Sequence, residues 1–247
     1  MKNISMRGRS GLSALIFSLL FLLSFSANAL AGIDLGWQKM ATPKLPPSVE
    51  VYKSTLPYPS GSAVRAFYAI IDLNDPNIDI DVAYPGYGGT WATPVDMMKA
   101  SEEPVYVAAN GGFFSDTASV NPVIHDGQVQ AWGSQGVTRN GKLYPVTFGA
   151  WGMNADRESE IVWTWGSPSD NAFFAFYAPY PNSLLEDPLP VPTLIPSVET
   201  APDGQSIPTG VKWDAVEALG GIQALMKDGE VLDLDETATT SCAADPN

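Results

Sequence analysis

The stretch Val105-Tyr106-Val107-Ala108-Ala109-Asn110-Gly111-Gly112-Phe113-Phe114 constrains the fold most, because an apolar run stops at one polar residue and two glycines. Val105 to Ala109 is β-branched, aromatic or small and follows a helix signal, so it is expected as a buried central strand with Asn110 at its C-terminal end. The paired glycines allow positive φ and let a ligand approach main-chain N–H groups, while Phe113 and Phe114 are expected to anchor the loop in the core. A tight strand-to-loop turn with aromatic packing is the alternative, since Asn-Gly is also a favoured turn dipeptide.

Residues 1–29 read as a secretory signal. Lys2, Arg7 and Arg9 form a basic start, Leu12 to Phe25 is an apolar core too short to span a bilayer, and Ala27-Asn28-Ala29 is a small-x-small cleavage site. Cleavage is expected after Ala29, with Ala31 as the second choice and an uncleaved anchor as the alternative. The chain is therefore expected to be secreted or periplasmic, with no membrane association after cleavage. Its formal charge is −14, and loss of the signal removes three basic residues and no acidic one. That sign opposes nucleic acid and anionic membranes. One cysteine, Cys242, and one histidine, His125, exclude an intrachain disulfide, a thiolate cluster and a multi-histidine zinc site. No Gly-x-Ser-x-Gly elbow is present.

Residues 30–62 form a proline-rich lead-in, and residues 63–247 are read as the functional domain. Val64 to Leu73 is apolar on both faces and is expected as a central strand, followed by a turn at Asn74-Asp75-Pro76-Asn77. Ile78, Ile80 and Val82 then alternate with Asp79 and Asp81, a stretch expected as a strand with one wet face. Alternation and the turn account for the carboxylates of Asp75, Asp79 and Asp81, and no loop with calcium-ligand spacing includes them or Asp72, so no metal is assigned. Thr93-Pro94-Val95-Asp96 opens a helix with a capping hydroxyl, which Pro104 closes. Asp126-Gly127 and Asp228-Gly229 are read as two-residue hairpin turns. Thr147–Trp151 and Ile161–Trp165 are strands joined by a polar turn, and Trp213–Leu219 is expected as a short helix ending at Gly220-Gly221. The eight prolines between Pro179 and Pro208 mark a long ordered loop. Together these segments are read as an α+β fold: a mixed β-sheet core with a few packed helices and a long Pro-rich loop in a single domain.

Three stretches taken together resemble the phosphodiester glycosidase family: Asn110-Gly111-Gly112-Phe113-Phe114, then Asn121-Pro122-Val123-Ile124-His125-Asp126-Gly127, then Ala218-Leu219-Gly220-Gly221 through Asp228-Gly229. The resemblance implies hydrolysis of the bond between a sugar anomeric carbon and phosphate in a sugar phosphodiester, with a sugar phosphodiester or polysaccharide as the expected substrate partner. It places Asn110 at the catalytic site, holding a sugar hydroxyl or phosphate oxygen, with the N–H groups of Gly111 and Gly112 facing the anion. His125, Asp126 and Asp228 are the further substrate-binding candidates. His125 reads either as an acid or base or as a surface residue, and both aspartates are also what a hairpin turn selects. The motifs assign no cofactor.

Such a reaction passes through an oxocarbenium-like transition state, which needs polar groups near the anomeric carbon and donors for the departing phosphate. A carbohydrate-binding domain without turnover, using the same loop and the Tyr177 to Tyr180 aromatics, is the reading from another class, and an ordinary two-acid glycoside hydrolase is a third. Family members continue past the second Asp-Gly hairpin with an arginine-threonine segment and a glycine-rich segment bearing an aspartate. The resemblance therefore implies that the 247 residues are an incomplete copy of the domain, inactive or prone to aggregate.

Overall fold

The computed structural model describes residues 36–42, 44–54, 56, 65–84, 92–115, 119–180, 185–197, 199–202, 204–221 and 224–232. The signal read over residues 1–29, and Cys242, lie outside the described residues. The chain divides into two compact units, one ending at Asp72 and the other beginning at Leu73. That boundary falls after residue 63, where the sequence reading starts its domain.

In the first unit, β1 (Gln38–Lys39), β2 (Val49–Ser54) and β3 (Ala66–Ile71) form an antiparallel sheet in the order β1-β2-β3. Aromatic pairs across it hold the register: Tyr52 stacks on Tyr68 at 4.8 Å, and Trp37 meets Tyr68 edge-on at 4.7 Å. The strand expected to be central is thus an edge strand of a small sheet, with Phe67 and Ile70 exposed.

The second unit carries α1 (Pro94–Ala100) and the strands β4 (Val123–His125), β5 (Gln128–Ala131), β6 (Val137–Arg139), β7 (Lys142–Tyr144), β8 (Phe148–Met153), β9 (Ser159–Ser167), β10 (Ala172–Phe176), β11 (Val211–Lys212), β12 (Glu217–Gly220), β13 (Met226–Lys227) and β14 (Glu230–Val231). Seven of them pair in the order β11-β10-β9-β8-β12-β4-β5, and this sheet curls into a half-barrel. Period-two alternation loads both faces. Val162, Phe173, Ala175 and Ala218 pack in one cluster with Trp213, while Trp163, Trp165, Phe174 and Phe176 pack in another. Strand β10 is buried throughout because it is covered on both sides. The Pro-rich loop has a small core of its own, in which Tyr180, Leu189, Ala201 and Ile207 meet.

Strands account for 36% of the residues and helix for 4%, so the expected α+β core with several packed helices is replaced by a mainly antiparallel β fold. α1 is the one helix among the described residues, and none of its side chains is buried. It forms where its cap dictates: Thr93 Oγ1 accepts the Asp96 N–H and donates to the Asp96 carboxylate. Residues 213–219, expected as a helix, run into β12 instead. Trp213, Ala215 and Glu217 are buried in alternation while Asp214 is exposed, and ladders to β8 and β4 outweigh local helix propensity. Residues 78–82, expected as a strand with one wet face, form no strand. Both Asp-Gly turns form as read, with positive φ at Asp126, Gly127, Asp228 and Gly229. Among the described residues no helix is long and apolar enough to cross a membrane.

The run 105–109 belongs to no ladder, and Val105, Tyr106 and Val107 are exposed. Its composition specifies an extended chain but not a partner. β12 already occupies the place between β8 and β4, so this segment is no central strand. Phe113 and Phe114 do not anchor the loop in the core either; they are 57% and 66% exposed.

Candidate functional site

The loop that follows this run is held by Asn121, a residue that the motif contained but to which sequence reasoning gave no role. Asn121 is 1% exposed. Its side-chain Oδ1 accepts the Phe113 N–H at 2.7 Å, and its Nδ2 donates to the Gly221 carbonyl at 2.5 Å. One amide group thereby joins the Asn110–Phe114 loop to the end of β12. The main chain adds to this: Gly220 N donates to Pro122 O at 2.8 Å, and Val120 N to Phe113 O at 3.0 Å. A buried amide satisfied on both sides fixes one loop geometry.

Close approach is the reason for the two glycines. A Cβ on Gly111 would come within 2.0 Å of a Leu219 methyl, and a Cβ on Gly112 within 2.7 Å of the Gly220 carbonyl oxygen. Neither residue has positive φ, so it is the space against β12 that excludes a side chain there. Asn110 itself is exposed at the head of this loop.

A second cluster lies at the other end of β4. His125 is four residues on from Asn121, about 13 Å along an extended chain. Its Nδ1 is 2.9 Å from Asp81 Oδ1 and 3.4 Å from each carboxylate oxygen of Glu217, while its Nε2 is 3.6 Å from Asp126 Oδ2. Glu217 is buried at the start of β12 and accepts two backbone N–H groups, Asp126 N at 2.8 Å and Val82 N at 2.9 Å. Partial burial pushes the His125 pKa down, but the carboxylates of Asp81, Glu217 and Asp126 outweigh it, and the imidazole titrates above the usual histidine value. Sequence reasoning missed Glu217. Its signal was a single acid inside the otherwise apolar stretch Ala215 to Leu219. It weighed Asp81 only with Asp72, Asp75 and Asp79; of these, Asp75 serves its turn, accepting from the Asn77 backbone and side chain.

The structure therefore brings Asn110, Gly111 and Gly112 to one end of the β4–β12 pair, and His125 and Asp126 to the other. Asp228 belongs to neither, being exposed at the β13–β14 turn. Beside it, Lys227 donates to Ile161 O at 2.8 Å and lies 5.3 Å from the Tyr177 ring centre. Chemically, the first end offers an amide and main-chain donors beside two exposed rings, and the second a carboxylate-oriented imidazole. No family model matches the chain, and no curated protein or solved structure matches it.

Proposed function

We propose, in place of the inactivity that the resemblance implies for the 247 residues, that this chain is a secreted or periplasmic hydrolase of sugar phosphodiesters, acting at the Asn110–Gly112 loop. Water adds to the anomeric carbon, the bond from that carbon to the phosphate oxygen breaks, and a phosphomonoester leaves. Asn110 donates to a sugar hydroxyl or phosphate oxygen, and the Gly111 and Gly112 N–H groups face the anion. Phosphate is a good leaving group, so a strong general acid is not required. The observation that supports this reading is that the three resembling stretches, the last about a hundred residues from the first two, meet at the single buried side chain of Asn121. His125 and Asp126, at the far end of β4, stand outside the reacting centre in this reading, and Asp228 serves its turn.

Binding of a carbohydrate without turnover is the second reading, favoured by the exposed rings of Phe113 and Phe114 immediately after the glycines. Product analysis on a panel of sugar phosphodiesters and neutral glycosides separates the readings. Free sugar with phosphomonoester supports the proposal, saturable binding without product supports the second reading, and release from neutral glycosides overturns both.

A further inference from the structure

We propose that Asp81, His125 and Glu217 bind one divalent transition-metal ion, with zinc the ion best matched to the site. This does not depend on the reading of the Asn110 loop, since the two places lie at opposite ends of β4. The three ligand atoms come from three segments, the 78–84 segment, the end of β4 and the start of β12, and all lie within 4.8 Å of one another. Ligands held about 2.0–2.2 Å from a tetrahedral ion stand roughly 3.3–3.6 Å apart. The observed separations from His125 Nδ1, 2.9 Å to Asp81 and 3.4 Å to Glu217, need only a small outward movement of the exposed Asp81 side chain.

The surrounding contacts are those a metal site requires. Each Glu217 oxygen is oriented by a backbone N–H, from Asp126 and from Val82. On the far side of the ring, His125 Nε2 lies 3.6 Å from the exposed Asp126 carboxylate, an ion-pair distance, and it is Nδ1 that is turned toward the two ligand carboxylates. Charge points the same way. Two carboxylates, one of them buried, converge on a single imidazole, and no lysine or arginine forms an ion pair with either among the described residues. A divalent cation neutralises both. One imidazole nitrogen with two carboxylate oxygens suits zinc, or manganese next, over thiolate-seeking ions. Three protein ligands leave a coordination position on the side of Asp81, which is 68% exposed, where a water or an oxygen ligand from solution enters. The ion ties the 78–84 segment to the β4–β12 pair.

The test uses the full chain, stripped with chelator and titrated with zinc chloride in calorimetry, with native mass spectrometry for stoichiometry. One zinc per chain is expected, with a rise in Tm that saturates at that ratio. Asp81→Asn is the diagnostic substitution, because Asp81 is exposed and lies outside every strand. It should weaken zinc binding at least about ten-fold and abolish the thermal shift, as expected for loss of one of three ligands. The neighbouring Asp79→Asn, whose carboxylate accepts the Ile80 N–H, should leave binding unchanged. Should Asp81→Asn not fold, His125→Gln carries the same expectation. No uptake at about 100 µM zinc, an affinity too weak for a built site, or uptake that Asp81→Asn and His125→Gln leave intact, would overturn the proposal.

Discussion

Replacing Asn121 by alanine tests the architecture on which the candidate site depends. The substitution removes an acceptor from the Phe113 N–H and a donor from the Gly221 carbonyl, in a residue that is 1% exposed. A buried partner left unsatisfied costs about 1–3 kcal/mol, so two such losses amount to roughly 2–5 kcal/mol, allowing for partial solvation of the Phe113 side. For a chain of this size that corresponds to a fall in Tm of about 5–15 °C. Urea unfolding monitored by tryptophan fluorescence measures the loss. Amide hydrogen exchange shows whether it is local, with the Phe113 amide expected to lose protection before the amides of β8 and β9. Asn121→Asp should cost at least as much, because it keeps the acceptor but turns a carboxylate toward the Gly221 carbonyl. A loss below about 1 kcal/mol, within the range of an ordinary surface substitution, would refute the claim that Asn121 joins the loop to β12.

Three further outcomes follow. Gly112→Ala should destabilise more than Gly127→Ala: a Cβ at Gly112 meets the Gly220 carbonyl at 2.7 Å, whereas Gly127 has open space and incurs only the strain of its positive φ, about 1 kcal/mol; paired urea midpoints decide the order. His125 titrates above its unfolded value, so its contribution to stability is fully present below about pH 6.5 and is lost as pH rises through the folded value; urea midpoints in chelator should fall over that window, and Asp81→Asn should flatten the fall. Exported protein should begin at Leu30 or Gly32 by intact mass, and retention of Met1 would reject the signal reading.

Features set by adjacent residues were legible in the sequence. Asp126-Gly127 and Asp228-Gly229 tolerate positive φ at two successive positions, and that local demand is enough to place both hairpins. Asn140-Gly141 carries the same signal and forms a third hairpin between β6 and β7, which went unread. The cap at Thr93 and the strands around the Asn154 to Glu158 turn are likewise local. Pairing was not legible. Val105 to Ala109 has the composition of a central strand, yet that place in the sheet is filled by residues 217–220, which lie a hundred positions away and read locally as a helix. The same distance hid the second cluster. Asp81, His125 and Glu217 are unremarkable one by one, and only the adjacency of β4 and β12 puts a buried carboxylate beside the single imidazole. The glycines at 111 and 112 were legible as necessary, but for another reason: the nearness of Leu219 and Gly220 rather than backbone handedness.

The most direct test of the proposed function compares turnover and stability of the wild type and Asn110→Ala on a sugar phosphodiester that the wild type cleaves. Asn110 is exposed and stands outside the Asn121 hydrogen bonds, so its loss is expected to leave the unfolding midpoint within experimental error. Turnover is expected to fall about 10²-fold or more, the loss typical of one transition-state donor. Turnover equal to that of the wild type, or a fall matched by an equal loss of folded protein, would contradict the assignment of the Asn110 loop as the reacting centre.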